Sequence, residues 1–164
     1  MRTDCQIEIV NASPVDIVGL SCRTTLESSV VDCPRFWSEV FGPRMQEVPT
    51  YAGAAYGVAV MAADDVYDYW GGLTHYPGQP VPAGMSTMRL AGGLYAVCRL
   101  EGGFGLALAY HYLYHALGIG PEHEFVLDQP CYEQFPPDHM QTGLIDLYLP
   151  IKAVGAPDNS SAAD

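Results

Sequence analysis

The stretch PCYEQFPPDH, from Pro130 to His139, places an acid where a short apolar strand is expected. Strand side chains alternate between faces, so Cys131, Glu133 and Phe135 share one face and Tyr132 and Gln134 the other. An unpaired carboxylate is costly to bury, so a Glu beside a thiol and a phenyl ring is either in water or at work in a pocket. Within a pocket, two chemistries are open to it. Ionised among aromatic rings, it would hold an organic cation, to which each ring adds about 0.5–2 kcal/mol of cation–π attraction. With its pKa lifted by apolar walls, it would serve as a general base for a water molecule.

Other reactive side chains form weaker patterns. His111 and His115 stand four apart in HYLYH, and His123 follows between Glu122 and Glu124. Such spacing can hold a metal, but the zinc-protease pattern needs Glu directly after the first His, and Tyr112 stands there. Two histidines on a solvent-facing helix side are the simpler reading. Ser21, Ser28 and Ser29 lack a G-x-S-x-G setting. The runs AGG and EGGFG have neither the lysine of a phosphate-binding loop nor the spacing of a dinucleotide fingerprint. A neighbouring carboxylate raises a thiol pKa, which makes Cys131 a lining residue rather than a nucleophile. Asp146 reads as a surface charge, with a second pocket acid as the alternative. No metal and no cofactor are expected.

The chain has 164 residues, 49% hydrophobic and 16% charged, which suits one globular domain with a core of its own. Nineteen acids against 7 bases give a net charge of −12, the wrong sign for a nucleic-acid backbone. Cys5, Cys22, Cys33, Cys98 and Cys131 are scattered and form no C-x-x-C pair, so reduced thiols are expected. Neither a signal-peptide core nor a membrane-spanning run is present, and the expected location is the cytoplasm.

The elements that must position Glu133 are legible. QIEIV and VDIVGLSCR read as strands about the turn NASP. VDCPRFWSEVFGP reads as a short helix with Asp32 as N-cap, Pro34 in its first turn and Gly42-Pro43 as its stop. AAYGVAVMA and VYDYWGGLTHY follow as strands. Beyond the connector PGQPVPAGM the order returns. MSTMRL and LYAVCRL are strands, and GLALAYHYLYHALG is a helix whose stripe Leu106, Tyr110, Leu113 and Leu117 faces a core. CYEQF and GLIDLYLPIK are strands again. An offset of 76 positions sets Cys22-Arg23 on Cys98-Arg99, Phe36 on Tyr112, Tyr56 on Tyr132 and Gly57 on Glu133, so the acid exists in only one half. The expected fold is α+β: two pseudo-repeated strand-helix-strand-strand modules, about residues 5–76 and 85–152, forming an antiparallel sheet with two helices. One domain over 1–154 is expected, followed by a disordered polar tail, 155–164.

The central run YDYWGGLTHYPGQPVPAGMSTMRLAGGLYAVCRLEGGF resembles the GyrI-like small-molecule-binding family, whose fold also forms the effector-binding domain of AraC-type and MerR-type multidrug regulators. PCYEQF is similar to that family's aromatic-Glu-aromatic strand and DLYLPIK to its closing strand; the resemblance covers about Cys5 to Lys152. It implies a ligand cleft between the modules, with Glu133 as its charge anchor. Wall candidates are Trp37, Tyr56, Tyr69, Tyr114, Phe135 and Tyr148. The expected function is capture of an amphipathic, flat or cationic small molecule by a stand-alone copy of the domain. The alternative is hydrolysis of cyclopropane-bearing alkylating natural products with Glu133 as catalytic base. A lesser alternative is a gyrase-inhibitor-like protein partner.

Overall fold

The structure, a computed structural model, describes residues 7–101 and 119–156. The helix expected over 105–118, with Tyr114, the His111/His115 pair and the stripe from Leu106 to Leu117, lies outside the described residues. So do Cys5 and the tail from 157 onward. Nine strands are described: β1 (Ile7–Ala12), β2 (Val15–Thr25), β3 (Ala55–Met61), β4 (Val66–Thr74), β5 (Ser86–Leu90), β6 (Gly93–Glu101), β7 (His123–Phe125), β8 (Tyr132–Phe135) and β9 (Leu144–Ala153). All pair antiparallel.

The strand order is β1-β6-β9-β8-β3-β4-β2-β5, with β7 on the far end of β9. This order is symmetric about the β8–β3 junction. The repeat offset carries β2, β3 and β4 onto β6, β8 and β9, and each module keeps the same internal order. The edge strands are exchanged, β1 pairing with β6 and β5 with β2. Each module also carries a cross-strand ion pair. Arg23 reaches Asp68 through two bonds of 3.0 and 3.1 Å, and Arg99 reaches Asp146 through two of 2.7 and 3.0 Å. Asp146 is therefore no free surface charge. It is only 7% exposed, because β9 sets it directly opposite Arg99 on β6. The cysteines also depart from expectation: Cys98 is disulfide-bonded, while Cys22 and Cys33 are free thiols.

Both faces of the sheet are covered. One face buries Val18, Tyr67, Tyr69 and Leu73 beneath Phe36 and Phe41. The other gathers Ile17 and Leu90 from one end of the strand order with Tyr56, Tyr95 and Tyr132 from its middle and far half. Residues so distant in the ladder share a cluster only where the sheet curls over that face.

The first helix differs in its bounds from the sequence reading. Helix α1 spans Ser29–Arg35, with Ser28 at its N-cap position. It begins early because Thr25 Oγ1 accepts the Ser28 N–H at 3.1 Å and Ser29 Oγ donates to the Leu26 carbonyl at 2.8 Å. Asp32 lies inside the helix and accepts from Thr24 Oγ1 at 2.7 Å. The chain then widens into a π-helical turn, Phe36–Phe41, and tightens into a 3₁₀ turn, Gly42–Glu47, so Gly42-Pro43 changes the winding and does not stop it. The wider turn suits the five-residue spacing of Phe36 and Phe41, which stack with centroids 6.1 Å apart. Strand β7 and the short helix α2 (His139–Thr142) are additional to the elements read from the sequence. Among the described residues, no helix is long and apolar enough to cross a membrane.

Candidate functional site

Strands β3 and β8 meet at the centre of the sheet, where Gly57 stands directly opposite Glu133. These two positions are equivalent under the repeat, so the pair lies on the pseudo-two-fold axis between the modules. Residues opposite each other in an antiparallel ladder project to the same face. Glu133 therefore crosses the space that a side chain on Gly57 would fill. It is 1% exposed.

One strand further, β4 supplies Tyr69 on the same face. Its hydroxyl donates to Glu133 Oε1 at 2.5 Å and accepts the Trp37 indole N–H at 2.9 Å. Burial, then the charge of Glu133, holds the Tyr69 phenol well above its ordinary range, so it stays a donor. An indole N–H is a donor only, and it engages the acceptor side of the phenol. The phenolic hydrogen is left to the carboxylate, and a hydrogen bond to the ionised form of a carboxylate favours that form.

The π-helical turn brings the rings. Trp37 meets Phe135 edge-on at 5.4 Å and Phe41 at 5.5 Å, and Phe36 meets Tyr69 edge-on at 5.8 Å. Gly71, paired with Gly57 across β3 and β4, lets this cluster seat. A Cβ there would stand 2.6 Å from Phe36 Cε1 and 3.2 Å from the Trp37 ring. Phe135 is half-buried and packs edge-on against His139 at 5.1 Å, whose Nδ1 lies 2.9 Å from the Leu144 carbonyl. Below the rings, burial pushes the Cys33 thiol up to about 12 and the Tyr67 phenol up to about 12. Neither is a nucleophile at neutral pH.

Four of the sequence candidates thus converge: Glu133, Tyr69, Trp37 and Phe135. Tyr56 and Tyr148 lie on the opposite face. Tyr148 stacks on Tyr132 at 4.6 Å, and Gln134 bridges the Tyr56 and Tyr148 hydroxyls, 3.2 Å from each. Tyr114 lies outside the described residues. Phe36, Phe41, Gly57 and Gly71 are site residues that the sequence reading did not select. Gly57 carried a signal, since the repeat offset sets it on Glu133. Among the described residues, no group of His, Cys, Asp and Glu side chains could hold a metal ion.

Residues 5–152 match the model of the GyrI-like small molecule binding domain. Among solved structures, SAV2435 bound to tetraphenylphosphonium is 15% identical, with 90% of this chain and 94% of that chain covered and a TM-score of 0.64. An integron cassette protein from the mobile metagenome of Vibrio cholerae is 12% identical over 90% of this chain and 97% of that chain, with a TM-score of 0.60. The EcmrR C-terminal domain is 13% identical over 92% and 99%, with a TM-score of 0.57. At such identities these likenesses speak for the fold alone. Comparison with curated protein sequences gives no match.

Proposed function

This chain belongs to the GyrI-like small molecule binding domain family, and from that premise we propose that it captures an amphipathic organic cation with Glu133 as the charge anchor. The observation that carries the proposal is a carboxylate 1% exposed, held by a phenol donor and ringed by Trp37, Tyr69 and Phe135. An organic cation gains Coulomb attraction from such a carboxylate and cation–π attraction from the rings. Its apolar body needs little desolvation on entry. The relative SAV2435 was seen bound to tetraphenylphosphonium, a ligand of this chemistry. The long-range field has the matching sign. All six cationic side chains among the described residues already pair with acids, and the net charge of −12 draws cations toward the protein. Its expected setting is the cytoplasm.

Hydrolysis of a strained-ring alkylator with Glu133 as general base is the second reading. The Tyr69 hydrogen bond bears on the choice, because it occupies Oε1, an oxygen that a general base would need to turn on a water molecule. Capture therefore ranks first. The test is thermal-shift screening of tetraphenylphosphonium, planar cationic dyes and a cyclopropane-bearing alkylator, with mass spectrometry of each mixture. Capture predicts stabilisation by the cations with every compound unchanged in mass. Addition of one water to the alkylator, absent with Glu133→Gln, would replace capture with hydrolysis.

A further inference from the structure

We infer that Gly57 is a positioning residue for the anchor: its missing side chain is the socket in which the Glu133 carboxylate meets the Tyr69 hydroxyl, and this socket sets the preference for cationic over neutral ligands. The inference rests on the capture reading and deepens it.

A Cβ built on Gly57 would overlap both Glu133 Oε1 and Tyr69 Oη and stand 2.7 Å from Glu133 Cδ. The obstructing atoms belong to the two groups that form the anchor, and both are buried, with Glu133 1% and Tyr69 4% exposed. Neither has a wet side onto which to swing. The same face of β3 carries Ala55 and Ala59, each two residues away, and both pack against the neighbouring core. Methyl groups fit at those two positions. Only at 57 does the polar pair take their place.

The pseudo-two-fold axis gives the reason for the asymmetry. Away from the axis, equivalent residues stand on different rungs, as Tyr56 does opposite Gln134 and Tyr132 opposite Val58, and each keeps its own side chain. On the axis the two equivalents face each other across one ladder rung, at Gly57 and Glu133. A glutamate in both would set two carboxylates against each other, and one would be forced to take up a proton. A side chain of any other kind at 57 would fill the socket. Glycine is the residue that leaves a single carboxylate, lying flat over β3 with its Oε1 held against Tyr69.

With alanine at 57 the carboxylate and the phenol must separate, and the carboxylate loses the donor that favours its ionised form. The experiment pairs two readouts. Tetraphenylphosphonium and its neutral analogue triphenylphosphine oxide are titrated into wild type and Gly57→Ala. The expected result is a loss of about tenfold or more in affinity for the cation, equivalent to at least about 1.4 kcal/mol, with little change for the oxide. Separately, thermal unfolding without ligand compares Gly57→Ala in wild type and in a Glu133→Ala/Tyr69→Phe background. That background lacks the obstructing atoms, so the alanine should lower the melting temperature in wild type and not in the double variant. If Gly57→Ala alone does not fold, recovery of folding in the double variant is the expected result. An equal loss in both backgrounds, or a cation preference unchanged by Gly57→Ala, would overturn the inference. Absence of cation binding by wild type would sink the capture reading, and the ligand-free comparison would still decide whether Gly57 forms the socket.

Discussion

Glu133→Gln should lose most of the affinity for tetraphenylphosphonium while the fold stays as stable as before or becomes more so. The substitution keeps the shape of the side chain and an acceptor for the Tyr69 hydroxyl, so the 2.5 Å contact persists in weaker form. What it removes is the charge. Close charge pairs at buried interfaces couple by about 1.5 kcal/mol or more, which corresponds to roughly tenfold or more in affinity. Stability should move the other way, because a carboxylate 1% exposed carries a desolvation cost that a neutral amide does not. Calorimetric titration and thermal unfolding of the same preparations check the two signs together. Equal affinity in wild type and Glu133→Gln would remove the carboxylate from the binding account.

Phe36→Ala is the substitution expected to damage the fold most. The ring is 2% exposed and sits on Gly71, stacked with Phe41 and edge-on to Trp37 and Tyr69. Removing a buried phenylalanine costs about 3–5 kcal/mol, because the lost transfer free energy adds to a cavity that close neighbours only partly fill. A domain of this size has about 5–15 kcal/mol in all. Urea unfolding should show a midpoint lowered by a large fraction of the wild-type value with the slope preserved. Cation affinity should fall with it, since Phe36 supports the Tyr69 ring that holds Glu133. A midpoint within error of wild type would mean that the π-helical turn is not what secures this half of the site.

Much of this was legible in the sequence, for reasons that particular residues make plain. Period-two alternation placed Glu133 with Phe135 and against Tyr132 and Gln134, and the structure has that arrangement. Strong turn residues set most strand limits, and the repeat offset anticipated two alike modules in one antiparallel sheet. Three things lay beyond reach. The π-helical turn depends on Phe36 and Phe41 sharing one glycine-floored patch of sheet, which is a tertiary demand that local propensity does not encode. Tyr56 and Tyr69 looked alike as pocket candidates, because only the register, with Tyr56 opposite Gln134 and Gly57 opposite Glu133, assigns them to different faces. Asp146 read as a surface acid because its partner Arg99 is distant in sequence and meets it only through the β6–β9 ladder.

Both faces of β8 are covered by aromatic side chains. Glu133 faces the rings of Trp37 and Phe135, while Tyr132, 3% exposed, faces the tyrosine cluster across the sheet. Either aromatic face could attract a cation; the carboxylate belongs to one. The most direct measurement is a crystal structure of the protein with tetraphenylphosphonium. The account predicts the phosphonium centre on the Glu133 side, with Trp37 and Phe135 ring centroids within about 6 Å of the cation's apolar shell. A cation seated against Tyr56, Tyr95 and Tyr148, or on the acidic exterior away from Glu133, would contradict it.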